Sequence, residues 1–228
     1  NKRYVLRQSF QSDLSRLAQL LLPVAQWLYP ERDIPARALM AALTDVTAAL
    51  PLYRTYYPGK GALAEVDRRQ IDAALQGARR KADAGADRYA REVVRLSLTL
   101  GLPEVAPAHV HRAVREHLLR WQQLTGAAMA KGFEDTTLYQ DSTLLALNDV
   151  GSREALASTA VEHFHSWNEC RLTQWPHTMN CTATHDTKRG EDIRARLAVL
   201  SEMPDVWSAA TDRWIAGLPR DEAATPLL

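Results

Sequence analysis

The sequence predicts a mainly α-helical protein with a few short strands in its second half. Apolar residues recur three and four positions apart through most of the stretch before Gly126, which is the spacing of one face of a helix. After Gly126 the pattern changes to short apolar runs beside charged residues. With 228 residues, 46% of them hydrophobic, the chain is long enough to bury a sizeable core.

Five helices are predicted before Gly126, joined by short links as in a helix bundle. The first is expected to end near Pro23, the second to begin near Pro35 and stop at Pro51, and the fifth to end at Gly126. Their apolar faces run through Phe10–Leu21, Leu39–Leu50, Ile71–Ala78, Tyr89–Leu100 and Val110–Trp121.

Two short strands and three helices are predicted in the second half. The strands are Ala127–Ala130 and Met179–Thr184, where small and β-branched residues dominate. Ser152 is expected to cap a sixth helix that carries Leu156, Ala160 and Phe164, and two more helices are expected to carry Ile193, Leu197 and Leu200, and Val206 to Trp214. We therefore divide the chain into residues 1–126 and 127–228.

Four ionisable residues follow the second predicted strand: His185, Asp186, Lys188 and Arg189. A strand that ends in a charged pair and turns into a helix is where α/β barrels place catalytic groups. Spacing alone supports an alternative equally well, in which Asp186 caps the helix and the two cations form a solvated pair.

Two further segments combine charges with aromatic rings or glycine. Lys131, Glu134 and Asp135 surround Gly132 and would suit a sugar cleft, or else a solvated loop. In Tyr53-Arg54-Thr55-Tyr56, a ring can cover a pyranose face while the guanidinium bonds its hydroxyls. The alternative there is a buried aromatic cluster that ties two helices together.

All three segments resemble conserved blocks of the maltooligosyl trehalose synthase family, a branch of the α-amylase superfamily. The matching runs are Thr184 to Leu197, Gln122 to Thr136 with Leu147 to Gly151, and Tyr53 to Tyr56. The sequence departs from the family at Leu138-Tyr139-Gln140-Asp141, where an aromatic-Tyr-Arg-Tyr run is usual. Tyr139 keeps one aromatic position, and the arginine and tyrosine that usually follow it are replaced by Gln140 and Asp141.

The resemblance implies part of an incomplete (β/α)8 barrel: residues 1–126 as a helical insertion and 127–228 as the region of strands six and seven. It implies an enzyme that converts the reducing-end α-1,4 linkage of maltodextrins to an α,α-1,1 linkage. Asp186 would be the third catalytic carboxylate. Sugar contacts would come from His185, Lys188, Arg189, Lys131, Glu134, Asp135, Tyr139, Tyr53 and Arg54.

The nucleophilic Asp and the acid/base Glu of such an enzyme are expected upstream of Asn1, because no Arg-x-Asp-His or Arg-x-Asp-Asn motif occurs here. The chain is therefore expected to be a piece of a longer protein and inactive alone. Two alternatives remain: another glycosidase or glucanotransferase of the α-amylase superfamily, and a non-enzymatic helical interaction module.

No cofactor or metal is predicted. The remaining histidines and the cysteines Cys170 and Cys181 show no metal-type spacing. A net charge of +1 gives no reason to expect a nucleic-acid or membrane partner, and the expected partner is a maltooligosaccharide. The sequence has no apolar run long enough to span a bilayer and no signal-peptide pattern, so the expected location is cytoplasmic.

Overall fold

A computed structural model describes residues 1–80, 87–151 and 160–218. These residues separate into a first unit, Asn1–Gln140, and a second unit that begins at Asp141. Within the described residues, no helix is both long and apolar enough to cross a membrane. The division at residue 126 stays a prediction about the longer protein.

The first unit is a helix bundle whose core consists of the predicted apolar faces. Leu14, Leu21, Leu39, Ile71 and Val110 are all nearly inaccessible to solvent, as the helical spacing predicts. The helices are α1 Lys2–Ser9, α2 Gln11–Leu28, α3 Ala36–Ala49, α4 Glu65–Arg80, α5 Arg88–Leu98 and α6 Ala108–Met129. The fold class is thus confirmed as mainly helical.

The predicted end of the first helix near Pro23 is wrong, and the opening segment, predicted as one helix, forms the two helices α1 and α2. Helix α2 continues through Pro23 to Leu28. A proline inside a helix costs about 3 kcal/mol, because it removes one backbone hydrogen bond and crowds the preceding turn. Val24 and Ala25, which follow directly, are buried in the core, and their packing offsets that cost.

The predicted end of the fifth helix at Gly126 and the strand Ala127–Ala130 are also wrong. Helix α6 runs to Met129 and passes directly into a π-helical turn, Ala130–Glu134. Ala128 and Phe133 are buried there, so continued helix places both of them in contact with the interior. Gly126 therefore lies inside α6 and does not end it, and a Cβ at this position would make only an ordinary contact, at 3.9 Å, with the carbonyl oxygen of Tyr53.

The second unit contains three α-helices and short 3₁₀ turns among its described residues. The helices are α7 Val161–Gln174, α8 Glu191–Val199 and α9 Pro204–Ala216, and the turns are Leu145–Leu147 and Leu200–Glu202. Both helices predicted after Arg189 are therefore confirmed. Phe164 lies in α7, whereas the predicted cap Ser152 and Leu156 fall outside the described residues.

The predicted strand Met179–Thr184 is wrong for this chain: the described residues contain no strand, and this segment is irregular. A strand needs a neighbouring strand to satisfy its backbone groups, and the described chain supplies none. No apolar side chain described in the second unit is buried. Trp207 and Trp214, for example, contact each other edge to face at 5.5 Å but remain exposed.

Candidate functional site

The segment Tyr53 to Tyr57 is held against α6 by one buried glutamine. Gln122 accepts hydrogen bonds at Oε1 from the Thr55 hydroxyl and from the Tyr57 backbone N–H, both at 3.1 Å. Its Nε2 donates to the Tyr57 carbonyl oxygen at 2.9 Å. Because the side chain is 2% exposed, these bonds satisfy polar groups that have no access to water. The backbone around Thr55 and Tyr57 is therefore held to α6 by this contact.

The π-helical turn after α6 brings Glu134 to Tyr53. The Asp135 N–H donates to the carbonyl oxygen of Ala130 at 3.0 Å, which is the five-residue spacing of a π-helix. Glu134 is buried, and its Oε1 accepts a short hydrogen bond from the Tyr53 hydroxyl. Two residues that the sequence singled out separately are therefore direct partners. We call Tyr53, Arg54, Lys131, Glu134 and Asp135 the tyrosine–glutamate cluster.

Glycine is required within this turn because α1 packs directly on it. A Cβ at Gly132 would lie 2.6 Å from Lys2 Cα and 2.9 Å from Lys2 Cγ, closer than atoms can approach. The alternative of a solvated loop at this point is thus wrong, because these residues form a tightly packed π turn. π turns inside α-helices are frequent at functional sites.

The remaining cluster residues face solvent. Lys131 and Asp135 form an ion pair at 2.5 Å across one turn, and this hydrogen bond raises the pKa of Lys131. Arg54 lies over the Tyr56 ring at 4.9 Å and donates to Gln123 Oε1 at 3.3 Å. An aromatic face, a guanidinium and an ammonium–carboxylate pair can together bind the rings and hydroxyls of a sugar.

Tyr139 lies close in sequence to this cluster. It sits half-buried in a 3₁₀ turn, Leu138–Gln140, at the end of the first unit.

In the second unit, His185 and Asp186 occupy the tip of a tight turn, which we call the His-Asp turn (Thr184–Thr187). The Thr187 hydroxyl donates to the Thr184 carbonyl oxygen at 2.8 Å, and the Asp186 N–H donates to the Thr184 hydroxyl at 3.2 Å. Both tip side chains are exposed. Asp186 therefore does not cap α8, whose N-cap is Gly190 and has no side-chain cap bond.

The segment after the His-Asp turn is tied to Asn148 and Asp149. The Lys188 N–H donates to Asp149 Oδ1 at 3.0 Å, and Arg189 Nη1 donates to the Asn148 carbonyl oxygen at 2.6 Å. Arg194, one turn into α8, donates to Asp149 Oδ2 at 2.8 Å. Lys188 itself is exposed and Arg189 is partly buried.

Burial by itself would raise the pKa of Asp149. The backbone N–H groups of Lys188 and Val150 and the Arg194 guanidinium outweigh it and hold this pKa below its usual range. The carboxylate is consequently ionised at neutral pH, with all of its donors in place.

The sequence did not identify Gln122, Asp149 or Arg194 as site-forming residues, although all three lie within the matching runs. The available signal was the pair Asn148-Asp149, two turn-forming residues directly after an apolar run. No three His, Cys, Asp or Glu side chains among the described residues are grouped as a metal would require. The predicted site residues thus fall into two groups, each within its own unit.

No protein-family model matches this sequence. Proteins from two strains of Mycobacterium tuberculosis that are assigned as maltooligosyl trehalose synthases are 41% identical to it over 110 residues, which is 48% of this chain and 14% of theirs.

A solved structure of a mutant maltooligosyltrehalose synthase from Arthrobacter ramosus superposes with a TM-score of 0.66 at 30% identity, covering 91% of this chain and 23% of that one. A hypothetical maltooligosyl trehalose synthase from Sulfolobus tokodaii shares the fold, with a TM-score of 0.59, 23% identity, and coverage of 93% and 23%. The chain thus spans less than a quarter of the length of these relatives. In sequence and in fold, it is similar to one part of maltooligosyl trehalose synthase.

Proposed function

We propose that this chain is part of an enzyme that converts the reducing-end α-1,4 linkage of a maltodextrin into an α,α-1,1 linkage by intramolecular transglycosylation. The observation that carries this proposal is the exposed His185–Asp186 pair on a closed turn, in a chain similar to maltooligosyl trehalose synthases. An exposed carboxylate with a fixed backbone is what a sugar-binding catalytic group requires.

The proposed role of Asp186 is that of a third carboxylate. A retaining reaction needs a nucleophilic carboxylate and a second carboxyl that acts as acid and then base. We place both outside these 228 residues, since none of the expected motifs occurs here. Asp186 would bind the ring hydroxyls of the sugar and stabilise the positive charge that develops at C1. His185 would hydrogen-bond the same sugar, and Lys188 and Arg189 would grip the glucose that is held for transfer.

The tyrosine–glutamate cluster is proposed to bind further glucose units. The fixed Tyr53 ring offers a stacking face, and Arg54 and Lys131 offer donors to hydroxyl groups. Glu134 would orient Tyr53, Asp135 would orient Lys131, and Tyr139 would add a second ring. The Tyr53–Glu134 bond and the π turn support this proposal because both give the cluster one geometry.

The barrel assignment is likewise a proposal for the longer protein. Residues 1–126 would be a helical insertion and 127–228 the region of barrel strands six and seven.

The test is the variant Asp186→Asn in the longer protein, assayed with maltopentaose for reducing ends and for non-reducing product. Losing one stabilising carboxylate is expected to lower kcat by roughly 100-fold or more. The matched control is Glu202→Gln, which neutralises an exposed carboxylate of the same unit and should keep full activity. The isolated 228-residue chain should show no conversion.

Three outcomes would contradict the proposal. A rise in reducing ends would indicate a hydrolase of the same superfamily. Unchanged conversion by Asp186→Asn would leave a helical interaction module as the better explanation. Turnover by the isolated chain would show that the nucleophile and the acid/base group do not have to be supplied by residues outside these 228.

A further inference from the structure

The Asp149 carboxylate is a buried acceptor of several hydrogen bonds in the second unit. It is 4% exposed, and both oxygens are used. Oδ1 accepts from the Lys188 N–H at 3.0 Å and from the Val150 N–H at 2.7 Å, and Oδ2 accepts from Arg194 Nη1 at 2.8 Å. Only a deprotonated Asp offers acceptors to three donors in this way.

These bonds hold the backbone that follows the His-Asp turn, which the internal hydrogen bonds of the turn do not reach. The two threonine hydroxyls close the turn internally. Lys188 is the first residue after it, and its N–H is bonded to Asp149. Arg194 fastens the first turn of α8 to the same carboxylate. The backbone on the C-terminal side of Asp186 is therefore attached at one buried point.

The neighbouring residue strengthens this attachment. This neighbour is Asn148, whose carbonyl oxygen accepts a hydrogen bond from Arg189. The side-chain Nδ2 of Asn148 donates to the carbonyl oxygen of Asp141 at 2.7 Å. Asn148 and Asp149 together thus link the start of the second unit to the segment that carries Asp186. An Asn at position 149 would turn an NH₂ group toward one of the three donors, so it could not replace the carboxylate.

We propose that Asp149 is a positioning residue, which sets the place of the Asp186 carboxylate through Lys188 and Arg194 without touching the sugar. This inference rests on the proposed function of Asp186. Its effect would fall on the transition state, because a displacement of about 1 Å in a catalytic group can cost roughly 100-fold in rate. Substrate affinity, which depends on many contacts, should change far less.

The experiment compares Asp149→Ala, Asp149→Asn and Arg194→Gln with Glu202→Gln in the longer protein. Three quantities are measured: kcat and KM with maltopentaose, the melting temperature, and amide hydrogen exchange of the peptide that contains residues 184–190. We expect kcat to fall by roughly 100-fold in Asp149→Ala and less in Asp149→Asn and Arg194→Gln, at nearly unchanged KM. Exchange in the 184–190 peptide should accelerate in the same order, while Glu202→Gln should match the parent protein.

Each other outcome overturns the inference. Unchanged exchange in Asp149→Ala would show that the carboxylate does not hold the turn. Faster exchange with unchanged kcat would show that it holds the turn without positioning a catalytic group. A lowered melting temperature with unchanged exchange and unchanged kcat would show a role in stability alone. If Asp149→Ala does not fold, the same measurements on Arg194→Gln test the inference. This variant removes the Arg194–Asp149 bond and keeps the bonds from the Lys188 and Val150 N–H groups to Asp149. Full activity of Asp186→Asn would instead refute the proposed function, independently of the exchange result.

Discussion

His117 makes the stability of the first unit depend on pH. Its ring lies in the core between α5 and α6, with Nδ1 2.6 Å from the Ser97 hydroxyl oxygen and no hydrogen-bond partner for Nε2. Burial lowers the pKa of His117 to about 3, from an ordinary value of 6.5. The folded protein therefore keeps this ring neutral under conditions where the unfolded chain binds a proton.

The sign and size of the effect follow from this difference. A lowered pKa on a basic group means that stability is fully present above the unfolded pKa and is lost as the pH falls toward the folded value. Between pH 7 and pH 5, protonation of the unfolded chain lowers the free energy of unfolding by about 1.9 kcal/mol. Because the folded pKa lies well below 5, this figure depends mainly on the unfolded value.

The assay is urea unfolding at pH 7 and pH 5, followed by far-UV circular dichroism, for the parent chain and for His117→Gln. The variant should be less stable overall, since it alters a packed core, but its loss between the two pH values should be smaller by about 1.9 kcal/mol. Carboxylates such as Asp149 and Glu92 titrate equally in both proteins, so they cancel in the comparison. Equal pH dependence in the two proteins would refute the assignment of a buried neutral imidazole.

Two further stability predictions concern packing in the first unit. Gly132→Ala should be less stable than Gly126→Ala by about 1–3 kcal/mol in urea unfolding, because a Cβ at Gly132 would lie 2.6 Å from Lys2 Cα, whereas one at Gly126 would make only an ordinary contact at 3.9 Å. Equal stability of the two variants would mean that α1 shifts freely. Thr47→Val should cost about 1–3 kcal/mol, because it leaves the buried indole N–H of Trp121 without its 2.9 Å acceptor. Thr44→Val, a neighbour with only an intrahelical bond, is the control and should cost less.

The helices of the first unit could be predicted because their apolar spacing reports directly which face is buried. Leu39 and Leu43 illustrate this, since both are fully buried where the pattern placed them. The π turn could not be predicted, because it depends on the approach of Lys2 to Gly132, a contact between residues far apart in the chain. Pro23 shows the same limit: a local stop signal was overridden by core packing of the following turn.

The sequence indicated several residues of the candidate site, but it did not indicate which of them contact one another. Tyr53 and Glu134 were each singled out, yet no sequence pattern indicates that they share a hydrogen bond. For Asp149, the local sequence predicts only a turn, and its three donors become apparent only in the fold. The strand expected before His185 failed for a related reason, since a strand is defined by its neighbours and the described residues provide none.

The absence of buried apolar side chains in the described part of the second unit has a thermodynamic consequence. The first unit contains a hydrophobic core and can unfold cooperatively. The helices α7 to α9 bury no apolar side chain among the described residues, so they add little hydrophobic free energy of folding. The two halves of this chain therefore need not melt in one transition. A single melting temperature would describe the bundle, and the ordering of the His-Asp turn would follow its own equilibrium.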